Sequence, residues 1–216
     1  MSGVEIGIYG KLPAHGDFVS LHTDAELTAG LYDWCNDVIY ASRTKMGEVP
    51  WLKAYLVSPA WRFCMLLPDQ PAKATAGVML PSVDAAGRYF PLFLLFQLDA
   101  ERVPTAWLFK EAEPLLTALE KSGIEALQRQ LDVKDLQLLI QQKTSSLALG
   151  DAMTLPNSTE QVQRRLPLVL DLMVGDVGGS LWWSSMSLNS KDKPFCSFAE
   201  LPQASEYEAL ITGNGF

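Results

Sequence analysis

Histidine and cysteine, the residues that most often hold metals or attack substrates, are scarce: two histidines and three cysteines among 216 residues. Cys35, Cys64 and Cys196 lie far apart in apolar surroundings, and no C-x-x-C occurs. With only His15 and His22 to add, a structural zinc site lacks ligands, so the sequence implies no metal and no cofactor. The cysteines read as small core residues of a reducing compartment. Positive charge is also short: 17 Lys and Arg face 25 Asp and Glu, a net charge of −8. Without a basic stripe the chain lacks the footprint of a nucleic-acid binder, and an anionic membrane surface would repel it. Acidic and basic residues alternate except near the end, where Glu200, Glu206 and Glu208 have no basic neighbour. The most lipophilic stretch, FPLFLLFQL, has nine residues where a membrane span needs about 20. The opening MSGVEIGIYG has neither the basic start nor the apolar run of a secretion signal. The expectation is a soluble, cytoplasmic protein with no membrane insertion. No G-x-S-x-G nucleophile elbow is present.

Large apolar bodies are plentiful: six Trp and nine Phe in a chain that is 48% hydrophobic. This supports a substantial core, and the length suits a single domain over 1–216. Val4 to Tyr9 alternates like a strand. Thr23-x-x-Glu26 has the form of a capping box, and apolar spacing from Leu27 to Ser42 predicts a helix over about 24–45. Pro50 and Pro59 bracket a stretch read as extended. WRFCMLL and TAGVML read as a hairpin around PDQPAK, PSVDAAGR as a turn, and YFPLFLLFQL as a central strand with Pro91 near its start. Helical patterns follow from about Pro104 to Gln142, with Pro114 in a first turn, and again near Glu160. GGSLWWSS and PFCSF read as strands joined by LNSKDK, and a short acidic helix or coil closes the chain. About six strands with hairpin-length links describe an α+β fold with a mainly antiparallel sheet flanked by helices. In a strand, Trp182 and Trp183 face opposite sides.

The stretch YGKLPAHGDFV invites two chemical readings. Gly10-Lys11 after a strand hints at a phosphate loop, but Leu12 follows the lysine and no glycine stands five residues earlier, so the P-loop template fails. Gly10 and Gly16 read instead as backbone corners. His15 and Asp17 hint at an acid–base pair, but no nucleophile is placed beside them, and Asp17 fits better as an acceptor for loop N–H groups. In PSVDAAGRYFPL, Asp84 reads as a turn cap and Arg88 as its ion partner, or the two together as a docking pair. Trp61 and Arg62 read equally as core residues or as interface anchors.

Four segments then stand in a fixed order: YGKLPAHGDFV, SPAWRF, GVMLPSVDAAGRYFPL and SLWWSS. Together they resemble the ImpM/TagF family, accessory proteins of bacterial type VI secretion, over about 4–185. The matching positions include Gly10, Lys11, Pro13, Gly16, Asp17, Trp61, Arg62, Asp84, Gly87, Arg88, Trp182 and Trp183. Relatives often carry a basic residue after the aspartate of the third segment, where this chain has Ala85-Ala86. The resemblance implies a longin/SNARE-like sheet with flanking helices. It also implies a cytoplasmic, non-enzymatic regulator that represses secretion by engaging the forkhead-associated scaffold protein. Some relatives carry a fused PP2C-type phosphatase domain, for which this sequence has neither the length nor the acidic motifs. Candidate contact residues are Trp61, Arg62, Asp84 and Arg88, with Lys11 and His15 at the rim and Asp17 beside them. The alternatives are an assembly scaffold, or a hydrolase using the His15/Asp17 loop.

Overall fold

The computed structural model describes residues 4–66, 73–99, 112–147, 179–184 and 196–213. Strands β1 (Gly7–Gly10) and β2 (Val19–Leu21) precede helices α1 (Ala25–Met46) and α2 (Glu48–Val57). Strands β3 (Trp61–Leu66), β4 (Lys73–Leu80) and β5 (Leu92–Asp99) follow, then α3 (Glu113–Arg129) and α4 (Val133–Thr144). Strands β6 (Gly179–Trp183) and β7 (Cys196–Phe198) and helix α5 (Ala204–Thr212) complete the described elements. The strands form one sheet in the order β2-β1-β5-β4-β3-β6-β7, antiparallel at every pairing. β5 lies inside it between β1 and β4, where its apolar sequence placed it, and Pro91 stands just before its first residue.

Strand alternation divides the core in two. Ile8, Cys64, Val78, Leu94 and Trp183 pack with Leu115 and Leu119 of α3 and Leu136 of α4. Tyr9, Phe63, Phe93 and Trp182 pack on the other face with α1, α2 and α5 through Leu31, Trp51 and Tyr207. The two neighbouring tryptophans thus enter opposite cores, and the sheet is a middle layer between two layers of helices.

Several local expectations change. α1 is capped not by Thr23 but by Asp24, whose carboxylate accepts the N–H of Glu26 at 2.8 Å. Glu26 and the basic Arg43 and Lys45 sit at the ends that suit the helix dipole. The stretch between Pro50 and Pro59 is helical over α2 rather than extended. Pro50 falls in its first turn, where an N–H has no helical partner to lose. The sheet has a seventh strand, β2, three residues long and too short to show alternation. Gly16 has no left-handed backbone and open space around it, so it is not a required corner. The helix expected near Glu160, the turns PDQPA and LNSKDK, and Trp107 and Leu108 lie outside the described residues.

One charge breaks the apolar alternation of β3. Arg62, 2% exposed, points toward α3, whose Glu113, Thr117 and Glu120 line one helical face. Its Nη1 donates to both oxygens of Glu113 at 2.6 and 2.7 Å, its Nε to Glu120 at 2.8 Å and its Nη2 to Thr117 at 3.0 Å. Arg62→Ala is expected to lower unfolding stability by about 3 kcal/mol or more, measured by urea denaturation, because two carboxylates lose their buried cation. Arg62→Lys should recover only part, since an ammonium lacks the planar fork.

Candidate functional site

The β1 strand ends at Gly10 with φ +121°, and a Cβ there would fall 2.0 Å from the Pro91 carbonyl oxygen. Only glycine lets β1 pass this close to the start of β5. The chain then turns Lys11 inward. Its ammonium donates to Asp84 Oδ2 at 2.7 Å and lies 5.0 Å from the centre of the Phe18 ring.

Asp84 organises what surrounds it. Oδ1 accepts the backbone N–H groups of Ala86 and Arg88, each at 2.9 Å. Oδ2 accepts Lys11 Nζ and Arg88 Nε, each at 2.7 Å. The turn closes with Gly87 N–H to the Asp84 carbonyl at 3.0 Å and Asp84 N–H to the Arg88 carbonyl at 3.1 Å, with Gly87 at φ +80°. Burial alone would raise the Asp84 pKa. The hydrogen bonds from Lys11 and Arg88 outweigh it and hold the carboxyl well below the usual range.

The second loop, 11–18, is fastened to this turn. Ala85 N–H donates to the His15 carbonyl at 2.9 Å, Arg88 Nη2 donates to the Gly16 carbonyl, and Ser82 Oγ donates to the Lys11 carbonyl at 2.6 Å. Beneath them the Tyr55 hydroxyl of α2 donates to the Ser82 carbonyl and accepts its N–H, both at 3.0 Å. Burial pushes that phenol far above its ordinary pKa, so it keeps its proton. On the other side, His15 Nε2 accepts the Val133 N–H at the start of α4 at 3.1 Å. Asp17 accepts the N–H of Phe18 at 2.8 Å, the loop role its sequence suggested.

The predicted contact residues therefore separate. Lys11, His15, Asp17, Asp84 and Arg88 come together. Lys11 and Asp84 are buried, so Lys11 is not a rim group: a lone carboxylate under the turn draws its ammonium inward. Asp17 and Arg88 are exposed and His15 is half-buried. Trp61 and Arg62 are elsewhere and internal. Trp61 packs in the core under α1, α2 and α5, its indole N–H on the Leu210 carbonyl at 3.2 Å, and Arg62 faces α3. Sequence reasoning missed the link between Tyr55 and Ser82. A hydrogen bond spanning 27 residues leaves no local pattern.

Chemically, both Asp84 oxygens are filled, and the Lys11 amine and the His15 Nε2 lone pair are engaged. Among the described residues no group of three or more His, Cys, Asp and Glu is placed to hold a metal ion. The arrangement holds a shape.

Residues 7–143 match the family model for the TagF N-terminal domain, type VI secretion system-associated. The chain belongs to this TagF family. The matched region opens at β1 and closes in α4, and so contains both loops and every residue that fastens them. Among solved structures, this TagF-family chain is similar to PA0076 from Pseudomonas aeruginosa PAO1, with a TM-score of 0.75 and 25% identity. The likeness covers 98% of this chain and 96% of that one. No curated protein matches it. The antiparallel α+β architecture is thus shared, and the role is an accessory one in type VI secretion.

A carboxylate whose pKa is depressed by folding contributes stability above its unfolded pKa, ~3.9, and loses it as pH falls toward the folded value. The wild type should therefore lose stability below about pH 4, and Asp84→Asn should show a shallower acid slope in chemical denaturation. At pH 7 the same variant should be destabilised by about 3–5 kcal/mol, because the buried Lys11 ammonium loses a charged partner.

Proposed function

We propose that this TagF-family chain is a non-enzymatic, cytoplasmic repressor that restrains type VI secretion by binding the forkhead-associated scaffold protein of the apparatus. The observation that carries the reading is the pair of loops fastened over Asp84. Fixed loops lose little freedom on association, so a surface built this way favours binding. Its outward groups are Asp17, Arg88 and His15, set among the exposed small residues Ala14, Gly16, Ala85 and Ala86. Lys11 and Asp84 support that surface from below rather than touching the partner. Trp61 and Arg62 are left out of the contact set because both are buried.

A hydrolase built on His15 and Asp17 is the weaker reading. The loops do converge, but His15 Nε2 faces a backbone N–H and Asp17 caps its own loop, so neither polar group faces a shared substrate position. An assembly role differs from repression in the phenotype of loss.

Calorimetry between the purified chain and the forkhead-associated scaffold of the same apparatus tests the proposal. The wild type should bind, and Asp17→Arg should weaken binding by about tenfold or more while leaving the near-ultraviolet circular dichroism unchanged. Deleting the gene should raise secretion. Absence of binding by the wild type contradicts the partner, and reduced secretion on deletion contradicts repression.

A further inference from the structure

A groove of about 580 Å³ runs between α1 and the segment leading into α5. Gly30, Trp34, Asp37, Val38 and Ala41 share the α1 face that forms one wall, and Glu200 to Ala204 form the other. The half-buried Trp34 indole is the floor. Its N–H donates to the Pro202 carbonyl at 2.7 Å, and the ring lies against Trp182 and edge-on to Tyr207, so it is held in place.

Gly30 is the unexplained residue. Glycine inside a helix is less stable than alanine there, so a fold needs a reason to keep it. Gly123 in α3 has one: a Cβ would lie 2.7 Å from Leu80 Cδ1, where the helix presses on the sheet. At Gly30 nothing lies within 4 Å of the Cβ position. Among the described residues, then, packing does not ask for it. What it leaves is bare helix backbone opening into the groove.

The walls also carry unanswered charge. Asp37 and Glu200 are exposed and have no ion pair with a described residue. Asp33, one turn before Asp37, adds a like charge at a spacing that disfavours the free helix. Lys45, farther along α1, is taken by Glu208 at 2.7 Å. Of the acidic residues without basic neighbours near the end of the sequence, Glu200 thus stands on one side of an apolar groove.

We propose that this groove docks a basic amphipathic helix from a partner protein. An apolar side chain rests on Trp34, the helix backbone approaches Gly30, and Lys or Arg side chains lie between Asp37 and Glu200. Helix-in-groove recognition uses this combination of apolar floor and charged rims. The proposal stands whichever protein supplies the helix.

Selection from a phage library of randomised peptides, with the purified full chain as bait, tests it. The enriched sequences should carry two or more Lys or Arg, with apolar residues at helical spacing. A synthetic peptide of that consensus should bind at least about tenfold more weakly to Asp37→Lys/Glu200→Lys, and also to Gly30→Trp. Replacing its basic residues with Glu should restore binding to the double lysine variant. Gly30→Ala should raise the melting temperature of the free protein. An acidic or uncharged consensus, equal binding to the variants, no enrichment, or a wild-type dimer in sedimentation that the same substitutions abolish would each overturn the proposal.

Discussion

A carboxylate with no solvent contact sits beneath two surface loops, and most of the site's architecture follows from neutralising it. A buried ionised group costs several kcal/mol unless opposite charge and donors surround it. Asp84 receives two backbone N–H groups, one ammonium and one guanidinium. Each donor comes with a stretch of chain attached. Lys11 brings the end of β1, and Arg88 closes the turn and reaches the Gly16 carbonyl of the other loop. Satisfying one side chain therefore fixes two loops whose centres are some seventy residues apart in sequence.

The same logic operates at β3. Arg62 occupies a position that strand alternation reserves for apolar side chains, and α3 meets it with Glu113 and Glu120. In both places a buried cation meets carboxylates and joins elements that apolar packing alone would leave free to slide. The surface is left predominantly acidic, with Asp17 beside the loops and Asp37 and Glu200 at the α1 groove. A protein of this charge favours basic partner surfaces electrostatically.

How much of this was legible in the sequence depended on the range of the interactions. Periodicity located α1 to within a residue at each end, because Leu27, Leu31, Cys35 and Val38 repeat on one buried stripe. The apolar continuity of FPLFLLFQL placed β5 inside the sheet, and strand alternation put Trp182 and Trp183 on opposite faces. The turn chemistry of Asp84 and Gly87 was readable because it is local. By contrast, α2 was hidden by its own proline, and β2 by its length. The inward turn of Lys11 and the Tyr55–Ser82 link depend on partners far away in the chain, and neither leaves a spacing to detect. Trp61 and Arg62 read equally as core or as anchors, because residue type records the capacity for contact but not the side on which contact is made.

Amide hydrogen exchange across residues 85–88 is the most direct measurement of the claim that Asp84 locks the loops. These residues are exposed, so without the lock their amides would exchange near the rate of an unstructured chain. If the carboxylate and the neighbouring loop hold them, the N–H groups of Ala85, Ala86 and Arg88 should exchange at least about a hundredfold more slowly. Unprotected exchange at all three in the folded protein at neutral pH would contradict the account.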